Sequence, residues 1–505
     1  MTQICFSKLG AMGRLGNSLF QIASMKGITH SKGCELSLPH WDYAKYFKGT
    51  HPEGPQRGLQ VKEPAFHYCG DFAPNDGKDY DVVGYLQSHR YWQDIEPEIK
   101  KHFEWQEGYL AEIRQKYAHT LSKPTVAIHI RRGDYVNNPA YVNLPPLYYL
   151  RALIEKIPNW REHHLVFFSD DQSYANMHFG CLENAHFAYG DEIDNLCLMS
   201  LCDHFVVANS SYSWWGAYLG EKPHSIIVRP ERHFSGSLAG TSIADLYPQH
   251  WTKLNELNRK IDLNDITFVI PLNYDHPDRH ENLSLMVDLL KSTFDTRFSF
   301  IEQGARKFGG FTPWRFFEGK RFHRTKMLND AIRDAATPFA ANYDSDVALP
   351  PAQVFEAVER LRNGSDIVYP YSGDFWHVTR VPNYEALKKH MDVGIFSQLS
   401  FRKTEHSRGG AVFVNIKSFF SAGGENENFV SHGPEDSERW IRFTKLGLVV
   451  DFAKGCILHM EHWRGKNSHS MQHENGQRNQ DEYQKISAMD EKQLREYTKN
   501  WPWAK

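Results

Sequence analysis

The chain has 505 residues, 41% of them hydrophobic, and its 58 Lys plus Arg against 61 Asp plus Glu leave a formal charge of −3. That length and apolar content suffice for sizeable cores, which excludes a disordered polymer or a disulfide-stapled miniprotein; at roughly 150 residues per domain it holds two large domains or more. The charges are dispersed, with no polybasic arm. This argues against a dedicated nucleic-acid binder but leaves room for a local grip on one phosphorylated small molecule.

Seven cysteines without a C-x-x-C pair fit a reducing compartment. Met1–Cys5 runs straight into strand-like sequence with no leader pattern, and no apolar run approaches the ~18 residues that cross a bilayer. The expectation is a cytoplasmic protein without a transmembrane segment, free or peripheral to the inner membrane.

In chain order, Gly13-Arg14-Leu15-Gly16-Asn17 follows a short strand and opens a helical pattern at Ser18–Ala23. Glycines at such a turn serve tight packing about as often as a ligand, and the helix N-terminus favours anions. Thr125–Ile130 reads as a buried strand ending in His129-Ile130-Arg131-Arg132-Gly133-Asp134-Tyr135. Open α/β sheets gather ligand groups at strand ends. Two arginines there suit phosphate oxygens, and the alternative is pairing with a carboxylate such as Asp134. Helical sequence from Pro146, strands at Leu165–Phe168 and Phe205–Ala208, and a helix over Asp194–Cys202 continue a parallel α/β series. Asn209-Ser210-Ser211-Tyr212-Ser213-Trp214-Trp215-Gly216 is a hydroxyl-rich turn opening another helix, with the tryptophans expected in the core.

The sequence turns polar over Trp251–Asp265, and a fresh strand begins at Ile266, so a boundary near 260 divides domains 1–260 and 261–505. In the second series, Asp344 and Asp346 follow the strand Phe339–Tyr343, and in an extended segment they point to one side, where a divalent cation could bridge a nucleotide diphosphate. His459 and His462 could add nitrogen ligands, which suits Mn²⁺ better than Mg²⁺. Gly433-Pro434-Glu435-Asp436 places paired acids at a helix start, as capping groups or as a carboxylate offered to an acceptor hydroxyl. After His469 the composition predicts a helix plus a surface tail.

Gly13–Gln21, Gly84–Ser88, His129–Tyr135, Phe168–Asp171 and Leu198–Gly216, in that order, closely resemble the bacterial α-1,2-fucosyltransferases of glycosyltransferase family 11 across nearly all of residues 1–250. Ser18 departs from the Gln frequent there. The resemblance implies a GT-B-like architecture, GDP-fucose as donor, and inverting, cofactor-free transfer to the 2-hydroxyl of a galactoside. It implies that Arg131 neutralises the departing diphosphate beside Arg132. Gly13, Arg14, Gly16, Asn17, His129, Asn209, Ser210 and Ser211 complete the donor site, and Asp134 is the candidate base.

The order D-x-D, G-G-x-N-E-x-F, G-x-E-D, H-x-x-H over about residues 264–470 resembles GT-A enzymes of the β-1,4-galactosyltransferase type, with Pro434 as the departure. This implies a metal site of Asp344, Asp346, His459 and His462 holding Mn²⁺ or Mg²⁺. Pro271, Arg279 and Asp344 then lie on the UDP-sugar, Asp436 is the base, and Glu435 and Trp376 meet the acceptor. The expected whole is a bifunctional α/β enzyme. It adds galactose or GalNAc from a UDP-sugar in β linkage, then α-1,2-fucose, to a free or lipid-linked oligosaccharide in polysaccharide or O-antigen synthesis. The alternative is a fucosyltransferase whose second half is a non-catalytic acceptor-binding or scaffolding module.

Overall fold

The computed structural model describes the chain apart from residues 1, 71, 256–258, 274–275, 305–306, 308–309, 312–313, 320–321, 381, 464–474 and 505. Both halves are α/β, and the chain divides into two compact units: Met1–Ala175 with Asn184–Asn258, and Asn176–Glu183 with Arg259–Lys505. The second unit therefore takes one short segment from inside the first half of the sequence.

The first unit has two parallel sheets. One runs Glu35–Ser37, Gln3–Cys5, Tyr80–Val83, Leu59–Lys62; the other runs Thr252–Leu254, Ile227–Pro230, His204–Val206, Thr125–Ile130, His164–Ser169, Ala185–Phe187. All six residues of Thr125–Ile130 are buried, as befits a β-branched run covered on both faces. Its neighbours are the next strand in sequence on one side and a later one on the other, so the crossovers diverge and a crevice opens at its carboxyl end. Trp214 and Trp215 are core residues, packed with Phe20, Trp92 and Tyr218 where the helix Ser211–Gly220 meets the helix Leu15–Lys32.

In the second unit a seven-stranded sheet runs Trp314–Glu318, Phe294–Gly304, Ile261–Leu272, Phe339–Tyr343, Ala411–Asn415, Ile367–Tyr369, Val450–Phe452, with Ala411–Asn415 antiparallel to both neighbours. A four-stranded sheet runs Val347–Ala348, Cys456–Met460, Asp374–Val378, Arg402–Thr404. The strand expected from Ile266 begins at Ile261, because buried Ile261 and Leu263 flank exposed Asp262 and extend the alternation upstream. The expected surface tail is a packed element. Residues 469–474 lie outside the described ones, but the helices Gly476–Ala488 and Glu491–Lys499 bury Ile486 and Leu494, and Trp501 joins the same core. Sparse apolar residues at helical spacing achieve this despite the polar composition.

Candidate active site

A cavity of about 660 Å³ opens in the first unit where the ends of Thr125–Ile130 and His164–Ser169 meet two helix N-termini. Leu15–Lys32 and Ser211–Gly220 converge there so closely that a Cβ on Gly16 would stand 2.5 Å from the Tyr212 backbone nitrogen. Asn17 joins them, its Oδ1 accepting from Ser211 Oγ at 2.8 Å and from Gln87 Nε2 at 2.6 Å. Gly13 has φ +93°, a conformation that suits glycine, and a Cβ there would run into the Asn17 side chain. Arg14 at the N-cap gives its helix no side-chain acceptor. Two positive helix ends thus face one space, which favours an anion carrying more than one charge.

Arg131, with its side chain 12% exposed, reaches this space between two carboxylates and pairs with both Asp170 and Asp134. Arg14 stands 3.8 Å from Asp134. His129 lies behind them, buried; burial and the charge of Arg131 push its pKa down to about 3, so the imidazole is neutral. Its Nδ1 has no hydrogen-bond partner among the described residues.

In the second unit Asp344 and Asp346 take different partners. The strand Phe339–Tyr343 ends before them and Asp346 lies in a turn, and the Asp346 charge still bears on Asp344. Asp344 Oδ1 takes Arg324 Nη2 at 2.7 Å, whereas Asp346 Oδ2 lies 3.1 Å from His462 Nε2 and 3.5 Å from Arg279 Nη1. Burial opposes the charge of Asp346, but His459, His462 and Arg279 outweigh it and hold the carboxyl far below the usual range. Ligand atoms of Asp346, His459 and His462 fall within 4.8 Å of one another. One carboxylate and two imidazoles fit Mn²⁺ or a later transition metal, and fit Mg²⁺ poorly because it prefers oxygen.

Arg324 and Arg439 both reach Asp436 Oδ1, at 3.4 and 2.8 Å. Burial raises the Asp436 pKa, yet the two guanidinium groups overcome it and keep the group ionised. Glu435 is buried, accepts from the Gly433 backbone N–H at 2.9 Å, and is pushed up to about 8 by burial and by Asp436. The Gly423-Gly424 turn carries this helix start: Arg442, paired with Glu438 in full burial, donates to the carbonyls of Ala422 and Gly424.

Residues 74–255 match the model of glycosyl transferase family 11. That segment is a family 11 glycosyltransferase domain. Over 123 residues the chain is 37% identical to the O-antigen biosynthesis glycosyltransferase WbnK of Escherichia coli, covering 22% of this chain and 40% of that protein. Over 188 residues it is 29% identical to an α-1,2-colitosyltransferase of Escherichia coli, covering 35% and 63%. Over 281 residues it is 24% identical to galactoside α-(1,2)-fucosyltransferase 2 of Hylobates lar, covering 48% and 80%. The chain spans less than two thirds of the length of either bacterial relative. Among solved structures, the fucosyltransferase NodZ from Bradyrhizobium is similar at 11% identity and a TM-score of 0.32, over 43% of this chain and 91% of that one. The catalytic domain of Drosophila β1,4-galactosyltransferase 7 is similar at 16% identity and a TM-score of 0.22, over 38% and 65%. At those scores neither likeness decides the fold.

Of the residues the sequence singles out in the first unit, Gly13, Arg14, Gly16, Asn17, His129, Arg131, Asp134, Ser210 and Ser211 line one cavity. Arg132 does not line it: its backbone N–H binds Asp170 and its guanidinium stacks on Tyr174 at 3.8 Å, because successive residues leaving a strand face opposite ways. Asn209 is a buried clamp, donating to the carbonyls of Val142 and His233. Sequence reasoning gave no role to Asp170, Glu192 or Tyr141, although Asp170 lies in the quoted Ser-Asp-Asp stretch. In the second unit Asp346, His459 and His462 come together, and Asp344 falls to Arg324 instead. Pro271 is buried at the end of its strand. Trp376 pairs with Leu458 while His377 pairs with His459, so Trp376 faces away from the histidines, against Phe401 and Lys403.

Proposed function

We propose that the first unit transfers L-fucose, or a related deoxyhexose such as colitose, from a GDP-sugar to the 2-hydroxyl of a galactoside during O-antigen or other surface-polysaccharide synthesis. The observation that carries this reading is the pair of helix N-termini meeting across one cavity with Arg131 and Arg14 at its rim. A nucleoside diphosphate supplies the two phosphates such a site accepts, and charge grows on their oxygens as the glycosidic bond breaks, so these contacts strengthen in the transition state. A diphosphate competing for Arg131 releases Asp134, whose carboxylate then takes the acceptor proton. The family 11 match and the α-1,2-transferring relatives support the same reading.

A second reading extends to the second unit, as a GT-A-like transferase of galactose or GalNAc from a UDP-sugar beside the GT-B-like first unit. It is favoured by Asp346, His459 and His462, which would hold Mn²⁺; the bound ion would neutralise the leaving diphosphate. Arg279 and Arg324 would orient the nucleotide. The galactoside made there would be what the first unit caps, at the raised local concentration that covalent linkage gives.

The test supplies purified chain with GDP-fucose, UDP-galactose and UDP-GalNAc over simple galactosides and glucosides, with Mn²⁺ or EDTA. The expected result is GDP-sugar transfer indifferent to EDTA and UDP-sugar transfer abolished by it. No turnover of any GDP-deoxyhexose overturns the first reading; UDP-sugars untouched with Mn²⁺ present reduce the second unit to an acceptor-binding module.

A further inference from the structure

The cavity of the first unit has two unlike sides flanking the helix ends. On one, Glu192 and Asn195 present a carboxylate and an amide beside Gly190, a polar edge suited to a nucleobase. The other is aromatic. Tyr135 bears on Arg131, its ring centroid 5.1 Å from the guanidinium carbon, and stacks on Tyr141 with centroids 4.2 Å apart and an interplanar angle of 18°. Phe234 follows at 5.6 Å from Tyr141, and Phe66 at 5.1 Å from Phe234. Tyr85, 42% exposed, and Leu238, 37% exposed, complete this side at the cavity lining.

This wall is held in place. The backbone N–H groups of Tyr85 and Leu86 both donate to Glu63 Oε2, at 2.9 and 3.0 Å, which fixes a turn where Leu86 adopts φ +52°. Tyr141 pairs its backbone with Phe234 in an isolated antiparallel bridge. The phenols of Tyr85 and Tyr141 act on each other electrostatically, and Asp134 acts on Tyr141 as well. Among the described residues neither phenol has a hydrogen-bond partner. Rings offering faces and uncommitted hydroxyls beside a carboxylate suit a neutral pyranose, which has an apolar C–H face and a rim of hydroxyls.

We infer that the wall of Phe66, Tyr85, Tyr135, Tyr141 and Phe234 is the acceptor subsite, where a terminal β-galactoside stacks with its 2-hydroxyl toward Asp134. The inference rests on the GDP-sugar reading of the same cavity. It divides the site into a polar nucleotide side and an aromatic acceptor side, with the diphosphate between.

Calorimetry with GDP, then with methyl β-D-galactopyranoside on the GDP-loaded protein, tests it on the full chain and on its Tyr141→Ala and Tyr141→Phe variants. GDP affinity is expected within about twofold of wild type in both variants. Galactoside affinity is expected to fall at least tenfold in Tyr141→Ala and by less in Tyr141→Phe, which keeps the ring and guards against misfolding as the cause. Unchanged galactoside affinity overturns the assignment. So does a tenfold loss of GDP affinity in Tyr141→Ala with the sugar unaffected, because the wall then holds the base. Wild-type protein that binds GDP but no galactoside overturns the subsite alone, whereas protein that binds no GDP overturns the GDP-sugar reading beneath it.

Discussion

Arg131 lies between Asp170 and Asp134 with only 12% of its side chain exposed, so its guanidinium is oriented before any ligand arrives. The planar fork matters as much as the charge, because lysine cannot pair with two carboxylates and two phosphate oxygens in one plane. Arg131→Lys is expected to lower kcat/KM for GDP-fucose about 100-fold, a loss of about 2.7 kcal/mol of transition-state stabilisation. Steady-state kinetics on correctly folded protein checks this. His129 and His233 set a second property at this scale. Burial, aided at His129 by Arg131, lowers both pKa values to about 3, whereas an unfolded imidazole titrates near 6.5. Below about pH 6.5 the unfolded chain takes up protons that the folded chain refuses. Stability is therefore full above pH 7 and falls as the pH drops toward 3, by about 2–3 kcal/mol per histidine at pH 4.5. Urea midpoints at pH 7 and 4.5 measure the slope, and His233→Gln is expected to flatten it by one histidine's share. Single residues were legible where a motif fixed both neighbours and backbone. Arg131 met that condition. Arg132 and Asp344 did not: Arg132 alternates away from Arg131 onto Tyr174, and Asp344 lies past the end of its strand beside Arg324.

The helices Leu15–Lys32 and Ser211–Gly220 depend on a missing side chain where they meet. Gly16→Ala would place a methyl 2.5 Å from the Tyr212 nitrogen and 2.8 Å from its Cα, and backbone cannot step aside as a flexible side chain does. The variant is expected to lose about 1–3 kcal/mol of stability from overpacking. It should also lose at least tenfold in GDP affinity as the two N-termini separate, which thermal unfolding and GDP titration report independently. The sequence marked this turn as glycine-rich but left packing and ligand binding equally open. The structure gives Gly16 to packing, and the close helix approach it permits brings two N-termini to one cavity. Strands were the most legible elements, because runs such as Thr125–Ile130 are buried along their whole length. The C-terminal helices were the least, because a few buried residues spread through polar sequence give little periodic signal.

At the scale of the whole chain, two parallel sheets in the first unit and a mixed seven-stranded sheet in the second give the two units different frames. The second frame is completed by Asn176–Glu183. Within it His178 Nε2 lies 2.8 Å from Asp392 Oδ1, and Glu183 Oε1 accepts from Arg360 Nη2 at 2.7 Å. A fragment of residues 259–505 lacks those partners and leaves part of an apolar cluster uncovered. Its thermal midpoint is expected to lie several degrees below that of the second unit in the intact chain, on the scale of about 2–4 °C per kcal/mol. A fragment as stable as the intact unit sinks that expectation.

The same segment sets a timetable for synthesis. Met177 packs against an apolar cluster of the second unit and His178 meets Asp392, yet those partners leave the ribosome roughly 200 residues after them. At about 5–20 residues per second that is an interval of about 10–40 s. During it the first half can complete both its sheets while Met177 and His178 wait for partners not yet made. A pause in translation just beyond residue 258 would lengthen the wait.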